Sequence, residues 1–315
     1  MPGAEDSPVS TGDLARAARL LLLRSRCEAT GLFAGNYTSA FRGGGLEFDE
    51  SRPYVPGDDI RSIDWNATAR SAEPFVKLFR EDRNQTLLFA LDVSGSMDFG
   101  STGSPKAATA AHALALMAAA AVRAGDRIGL VAFDGSVRAS VPIGRGAAHS
   151  LRVIRTAVET AAASRGTTRL SAGLRALHAA ARRRAAVVLI SDFRDPELFP
   201  PTGSSAPAAA LAELARRHDV VAAAVVDPRE AAIPDAGPIR VADPERPGAV
   251  FVLATGSRRA RERYRAAGAA WRRRLEDELR RSGADPVWLR TDRSPLLALG
   301  SFFRERAARR RREGV

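Results

Sequence analysis

One cysteine, Cys27, stands in a chain of 315 residues. A lone thiol excludes an internal disulfide framework and a cysteine-based zinc site, and it fits a reducing compartment. Histidine is scarce as well: His112, His149, His178 and His218 are scattered, and none neighbours the polar motifs considered below. Long uncharged runs are missing. The longest, Ala107 to Val122, is short and alanine-rich for a membrane span and reads more readily as a core helix. The N-terminus carries Glu5 and Asp6, and its apolar run Leu20 to Leu23 is flanked by arginines, which does not match a secretory leader. These absences lead us to expect a soluble cytoplasmic protein without a transmembrane segment.

Lysine is reduced to Lys77 and Lys106, so nearly all the positive charge is arginine. The net charge of +12 is unevenly placed: residues 251–315 hold 18 arginines against 8 acids, the rest 30 basic against 28 acidic groups. The excess therefore belongs to a C-terminal helical region. Arginine-rich helix faces are more often solvated surface than nucleic-acid sites, and here only Phe302 and Phe303 interrupt the basic tail. Nucleic acid ranks last among the partners considered.

At 45% apolar the chain can bury a real core, as one large or two modest domains. Residues 12–28 space Leu14, Ala18, Leu21 and Leu22 as an amphipathic helix. Residues 31–84 are dense in Gly, Pro, Arg and Asp, and "PFVKLF" alternates as a short strand, which suggests a small irregular strand-containing unit. From residue 85 the pattern changes. "QTLLFALDV", "AAVVLISDF" and "DVVAAAVVD" are continuous apolar strands of the kind buried on both faces. Helical stretches separate them: Pro105–Arg123, "GAAHSLRVIRTAVETAAA", "LSAGLRALHAAARR" and 207–217. "RIGLVAF" and "VRASVPI" form a hairpin through Asp134-Gly135. "GAVFVLAT" is a short strand. A long helix then carries Tyr264, Ala267, Trp271, Leu275 and Leu279 on one face, before the strand "DPVWLRT" and a last helix with a basic tail. The alternation predicts an α/β fold: a doubly wound, mostly parallel, Rossmann-type sheet with helices on both faces and one antiparallel edge hairpin. The organisation expected is 1–84 for the N-terminal helix and irregular unit, 85–303 for the sheet domain and 304–315 for a basic tail.

Ligands in such sheets bind beyond the carboxyl ends of the strands. One strand ends at Asp92, with Ser94 and Ser96 following in "ALDVSGSMD", and another ends at Ser191 and Asp192. The loop "RGTTRL" offers Thr167 and Thr168. All these donors are oxygens, which suits a hard cation, Mg²⁺ first, with Ca²⁺ and Mn²⁺ as alternatives. Capping of the next helix by the Asp and Ser residues is the bland alternative.

"Asp92-x-Ser94-x-Ser96" with "GTTRLSAGL" and "LISDF" downstream resembles the metal-ion-dependent adhesion site of von Willebrand factor A domains. The upstream "GGGLEFDESRPYVPGDDIRSIDWNATAR" strongly resembles the signature of the "domain of unknown function 58" family. The two resemblances together span roughly residues 30–305. They imply Asp92, Ser94, Ser96, Thr168 and Asp192 as the metal set; alignment on Leu170 selects Thr168, with Thr167 standing where the adhesion site usually has glycine. They also imply a partner, a MoxR-type AAA+ ATPase, and hence an adaptor or chaperone-like protein that binds an acidic side chain of its partner through Mg²⁺.

A second polar cluster, Asp58, Asp59, Arg61, Asp64, Trp65 and Arg70, reads as a structural ion-pair network pinning the N-terminal unit to the sheet, or else as an interaction surface. No triad, Walker-type loop or base beside Ser94 or Ser96 is recognisable, so an Mg²⁺-dependent hydrolase is the lesser alternative and no catalytic residue is assigned.

Overall fold

The computed structural model describes residues 11–29, 31–41, 46–71, 73–81, 85–164, 166–201, 205–245 and 248–313, without the side chains of 11, 32, 46–49, 61, 78–81 and 313. Two helices open the chain, α1 (Thr11–Glu28) and α2 (Leu32–Phe41). The strand β1 (Leu46–Pro53), the one-turn helix α3 (Trp65–Thr68) and β2 (Phe75–Glu81) follow, and β1 and β2 pair antiparallel as a separate ribbon. Next come β3 (Thr86–Asp92), α4 (Lys106–Ala124), β4 (Arg127–Phe133), β5 (Val137–Gly144), α5 (Gly146–Ala163), α6 (Leu170–Ala180) and β6 (Ala186–Ser191). The chain continues through α7 (Ala206–Arg217), β7 (Asp219–Val226), the short α8 (Pro228–Ala231) and the hairpin strands β8 (Pro238–Ala242) and β9 (Val250–Ala254). It closes with α9 (Arg258–Arg281), β10 (Asp285–Arg290) and α10 (Pro295–Glu313).

Six strands form one sheet in the order β10-β7-β6-β3-β4-β5, parallel throughout except for β5, which runs antiparallel at the edge. This is the expected doubly wound α/β architecture. Every residue of β3 is buried, and its side chains alternate between two cores. Leu87, Phe89 and Leu91 face α1, α2, α4, α5 and α10, while Leu88 and Ala90 face α6, α7 and α9. Each large apolar side chain taken fully out of water contributes about 1.5–3 kcal/mol, so a strand buried on both faces fixes the sheet's centre.

Helix α4 lies under this centre. Its alanines let neighbouring helices approach closely, and Gly125 ends it in the left-handed conformation (φ 80°) that glycine adopts without strain. Among the described residues α4 is one helix long and apolar enough to cross a membrane, and here 67% of that window is buried in the core.

Three expectations are corrected. The stretch 31–84 is not irregular throughout: it begins with α2, whose Phe33, Tyr37 and Phe41 are buried. "GAVFVLAT" pairs with the unforeseen β8, and this hairpin forms its own two-stranded sheet. Residue 304, read as the start of a tail, lies inside α10. There Arg306 pairs with Asp219 and Asp285, Arg309 with Asp285 and Arg310 with Asp219, so these arginines hold the helix to the sheet.

The sheet's strand order reverses beside β3. The chain crosses from β3 to β4 on one side, and β6 lies on the other, which opens a crevice at the carboxyl ends of β3 and β6.

Candidate metal centre

That crevice gathers the predicted set. Asp92, Ser94, Ser96, Thr168 and Asp192 are all buried, none more than 3% exposed. Asp92 ends β3 and is held from two sides: the Ser94 N–H donates to Oδ1 (2.9 Å) and the Ser191 hydroxyl to Oδ2 (2.6 Å). A short 3₁₀ turn, Gly95–Asp98, then bends the chain so that both serines face one point. Their hydroxyls stand 3.2 Å apart. Thr168 arrives from the loop before α6, its Oγ1 2.8 Å from Ser94 Oγ and 3.5 Å from Ser96 Oγ.

Two devices lock the loops together. The Gly95 N–H donates to the Gly166 carbonyl at 2.8 Å. Gly166 itself packs against the buried Asp134, and a Cβ there would stand 2.3 Å from Asp134 Oδ2. Asp134 is tied in turn by Ser164 (2.6 Å), the Ser136 N–H (3.0 Å) and Arg138 (2.7 Å). Burial alone would raise its pKa, but these bonds outweigh it and hold the carboxyl below its ordinary value. Between the two candidate threonines the structure turns Thr168 inward, while Thr167 lies beside Gly135.

Asp192 follows β6, and the chain makes room for it by turning at Phe193, whose φ of 57° is rare for a bulky residue. Its Oδ2 accepts from Lys106 Nζ at 2.5 Å and its Oδ1 from the Arg194 N–H at 3.1 Å. Lys106, the first residue of α4, is itself 1% exposed and also reaches Glu230 at 3.1 Å. Burial would lower the lysine's pKa, but Asp192 and Glu230 raise it, so it stays charged. Asp192 is likewise held below its ordinary value, with Lys106 outweighing burial. Asp92 has no cation partner among the described residues, and burial followed by repulsion from Asp192 pushes it up to about 7.

A further acid completes the ring. Glu245, on the turn between β8 and β9, accepts from the Thr168 N–H at Oε2 (2.7 Å) and from the Thr168 hydroxyl at Oε1 (2.8 Å). Burial, the leading effect, raises its pKa.

Six oxygens at about 2.0–2.1 Å around Mg²⁺ lie about 3 Å apart along each edge of the octahedron. The three hydroxyls, 2.8, 3.2 and 3.5 Å from one another, have the dimensions of one octahedral face. The charges agree. Among the described residues, Lys106 pairs with Asp192 and Glu230, and Arg194 with Glu230, so when Asp92 and Glu245 are ionised they leave negative charge for a divalent ion to balance. The donors fit a hard divalent cation although, among the described residues, no group of three His, Cys, Asp or Glu is arranged to hold a metal. The set depends on hydroxyls.

A family model described as "Protein of unknown function DUF58" matches residues 50–274. The chain belongs to the DUF58 family. Uncharacterized proteins of Mycobacterium tuberculosis and Mycobacterium bovis are each 34% identical to it over 306 residues, covering 95% of this chain and 90% of theirs. Among solved structures it is similar to the conserved hypothetical protein BatB from Bacteroides thetaiotaomicron, with a TM-score of 0.44 and 18% identity over 71% of this chain and 100% of that one. It is also similar to a von Willebrand factor type A structure from Catenulispora acidiphila, with a TM-score of 0.39 and 17% identity over 74% of this chain and 43% of that one.

The second cluster of this DUF58 chain does not converge on a site. Asp58 forms a two-bond pair with Arg52 (2.7 Å each) and caps the Val55 N–H (3.0 Å). Asp64 caps α3 at the N–H groups of Asn66 and Ala67 and accepts from Ser51. These bonds stay within the unit, where the sequence suggested a link to the sheet. Trp65 (70% exposed) and Ile60 (68% exposed) face outward with Asp59 and Arg70, and the Arg61 side chain lies outside the described residues.

Sequence reasoning missed Lys106, Glu230 and Glu245, and named Ser191 among the oxygen donors without placing it in the metal set. Lys106 carried a signal, as one of two lysines and the residue that opens the core helix. Ser191 sat in the quoted "LISDF". Glu245 had no signal, because it comes from a turn 77 residues beyond Thr168.

Proposed function

We propose that this protein is a metal-dependent protein-binding module. Asp92, Ser94, Ser96 and Thr168 hold Mg²⁺ directly. Asp192 acts through water, because the charged Lys106 Nζ stands 2.5 Å from its Oδ2 and would repel a cation bound directly to it. When bound, the cation supplies a positive centre for an acidic side chain of the partner. The convergence of three buried hydroxyls from two separate loops, beside a buried carboxylate with no counter-charge among the described residues, carries this reading.

The partner implied by the family resemblance is a MoxR-type AAA+ ATPase, for which the protein would serve as adaptor or chaperone-like component. We assign it to the cytoplasm, where an ATP-driven partner finds its nucleotide. We read the site as binding and not catalytic: Glu245 is a carboxylate that reaches a site hydroxyl, on Thr168, and among the described residues no imidazole approaches the serines. The imidazoles are engaged elsewhere or enclosed: His112 bonds Glu28, His149 the Ile128 carbonyl and His178 Arg217, and His218 is buried with no hydrogen-bond partner among the described residues.

The test is binding of the purified MoxR-type ATPase of the same organism to the full chain, in Mg²⁺, in chelator and with Asp92→Ala, with folding checked by circular dichroism. Retention by the metal-loaded wild type alone supports the reading. Equal retention in all three sinks it and moves attention to the exposed face around Ile60 and Trp65.

A further inference from the structure

We infer that Glu245 is an additional ligand of this centre, the chain's own carboxylate standing where an outside acid would otherwise bind. The inference rests on the metal-binding reading above and adds to it the occupant of the open position.

Glu245 belongs to a hairpin that is not part of the six-stranded sheet, yet its side chain reaches the crevice. The turn is shaped for this. Asp243 Oδ1 accepts the Glu245 N–H at 3.0 Å, and the Asp243 N–H donates to the Ala249 carbonyl across the turn at 3.0 Å. The carboxylate then brackets Thr168, and its Oε1 lies 2.8 Å from Thr168 Oγ1, one more octahedral edge beside the face made by the three hydroxyls. Thr168 has a single hydroxyl proton, and its Oγ1 lies 2.8 Å from both Ser94 Oγ and Glu245 Oε1. When that proton goes to the Glu245 carboxylate, the threonine oxygen keeps its lone pairs for Ser94 and for a cation.

A purely structural bracket explains this placement poorly. The hairpin is already anchored at its base, where Arg261 reaches Asp235 (2.9 Å) and the Thr255 carbonyl (2.5 Å) and Thr255 bonds the Gly237 carbonyl. Adding a third carboxylate beside Asp92 and Asp192 costs free energy unless a cation shares the space. With a divalent ion in place it supplies the charge that neutralises the site. An outside acid must therefore displace an internal one, which is tethered nearby and so present at high effective concentration.

The probe is Mn²⁺ on the full chain. Its affinity is read from the electron paramagnetic resonance of the free ion, and its inner-sphere water count from water proton relaxation. Glu245→Ala is expected to weaken Mn²⁺ by at least the roughly tenfold that loss of even an outer-shell partner costs, and to raise the relaxation per bound ion as water enters the vacated position. Glu245→Gln, which keeps an oxygen acceptor for Thr168, guards against a folding defect and is expected to shift affinity in the same direction. Unchanged affinity and relaxation in both variants overturn the inference while wild-type binding, lost in Asp92→Ala, preserves the centre. If Asp92→Ala binds Mn²⁺ as well as wild type, the centre itself is wrong and Glu245 falls with it.

Discussion

Lys106 is the side chain on which the crevice's electrostatics turn. It is a charged group with 2% of its side chain exposed, neutralised by Asp192 and Glu230. Replacing it with methionine keeps the length and removes the charge, leaving Asp192 without its lysine and Glu230 with Arg194 alone; breaking a buried pair in this way costs about 3–5 kcal/mol. We expect Lys106→Met to unfold at lower urea concentration in chelator, and to gain more stability from Mg²⁺ than wild type does, because the added cation then relieves more repulsion. His218 gives the opposite case. It is buried, neither ring nitrogen has a hydrogen-bond partner among the described residues, and burial first, then Arg217, His178 and Arg184, lower its pKa from 6.5. As pH falls below 6.5 the unfolded chain takes up the proton before the folded one, so stability declines until the folded pKa is passed. Urea titrations at two pH values on either side of 6.5 should show this loss in wild type and a smaller loss in His218→Phe. Neither role could be read from the sequence, because Lys106 and Asp192 are 86 residues apart and no local spacing encodes their contact.

Among the elements, legibility followed burial. The strands β3, β6 and β7 are apolar without interruption because both their faces are covered, and that pattern is visible in any window. The loops carrying Asp92, Ser94, Ser96, Thr168 and Asp192 could be placed because they follow such strands or precede a helix. The strand β8, "PIRVA", is short and largely exposed, so it has no buried face to impose a pattern. Helix α2, "LFAGNYTSAF", contains residues of modest helix propensity and depends on its contacts, including the Tyr37 hydroxyl donating to Asp126 at 3.0 Å. The loop before α6 has the least freedom. Gly166→Ala would drive a methyl group into Asp134, whose carboxylate is held by three other groups and cannot retreat. We expect about 1–3 kcal/mol of destabilisation and displacement of Thr168, seen as weakened Mg²⁺ binding by calorimetry even at temperatures where the variant remains folded. Full Mg²⁺ affinity in this variant would show that the loop's position is not what forms the centre.

Across the whole molecule, the last helix meets the second. Phe303 of α10 packs against Phe33, Tyr37 and Phe41 of α2 with ring centroids 5.5–5.8 Å apart. Arg306 adds a bond to the Ala40 carbonyl, together with its pairs to Asp219 and Asp285. Ending the chain at Phe303 should therefore cost about 3 kcal/mol, the low end for a broken buried pair because both acids are partly exposed. A nucleic-acid tail would instead be removed without loss of stability, and urea unfolding of the shortened chain decides between the two.

The same clasp sets the order of events during synthesis. The aromatic face of α2 meets a partner that lies 266 residues further along the chain, by the Arg306–Ala40 separation. Until α10 has been made, Phe33, Tyr37 and Phe41 lack their Phe303 contact, and closing so long a loop makes it one of the slower contacts to form.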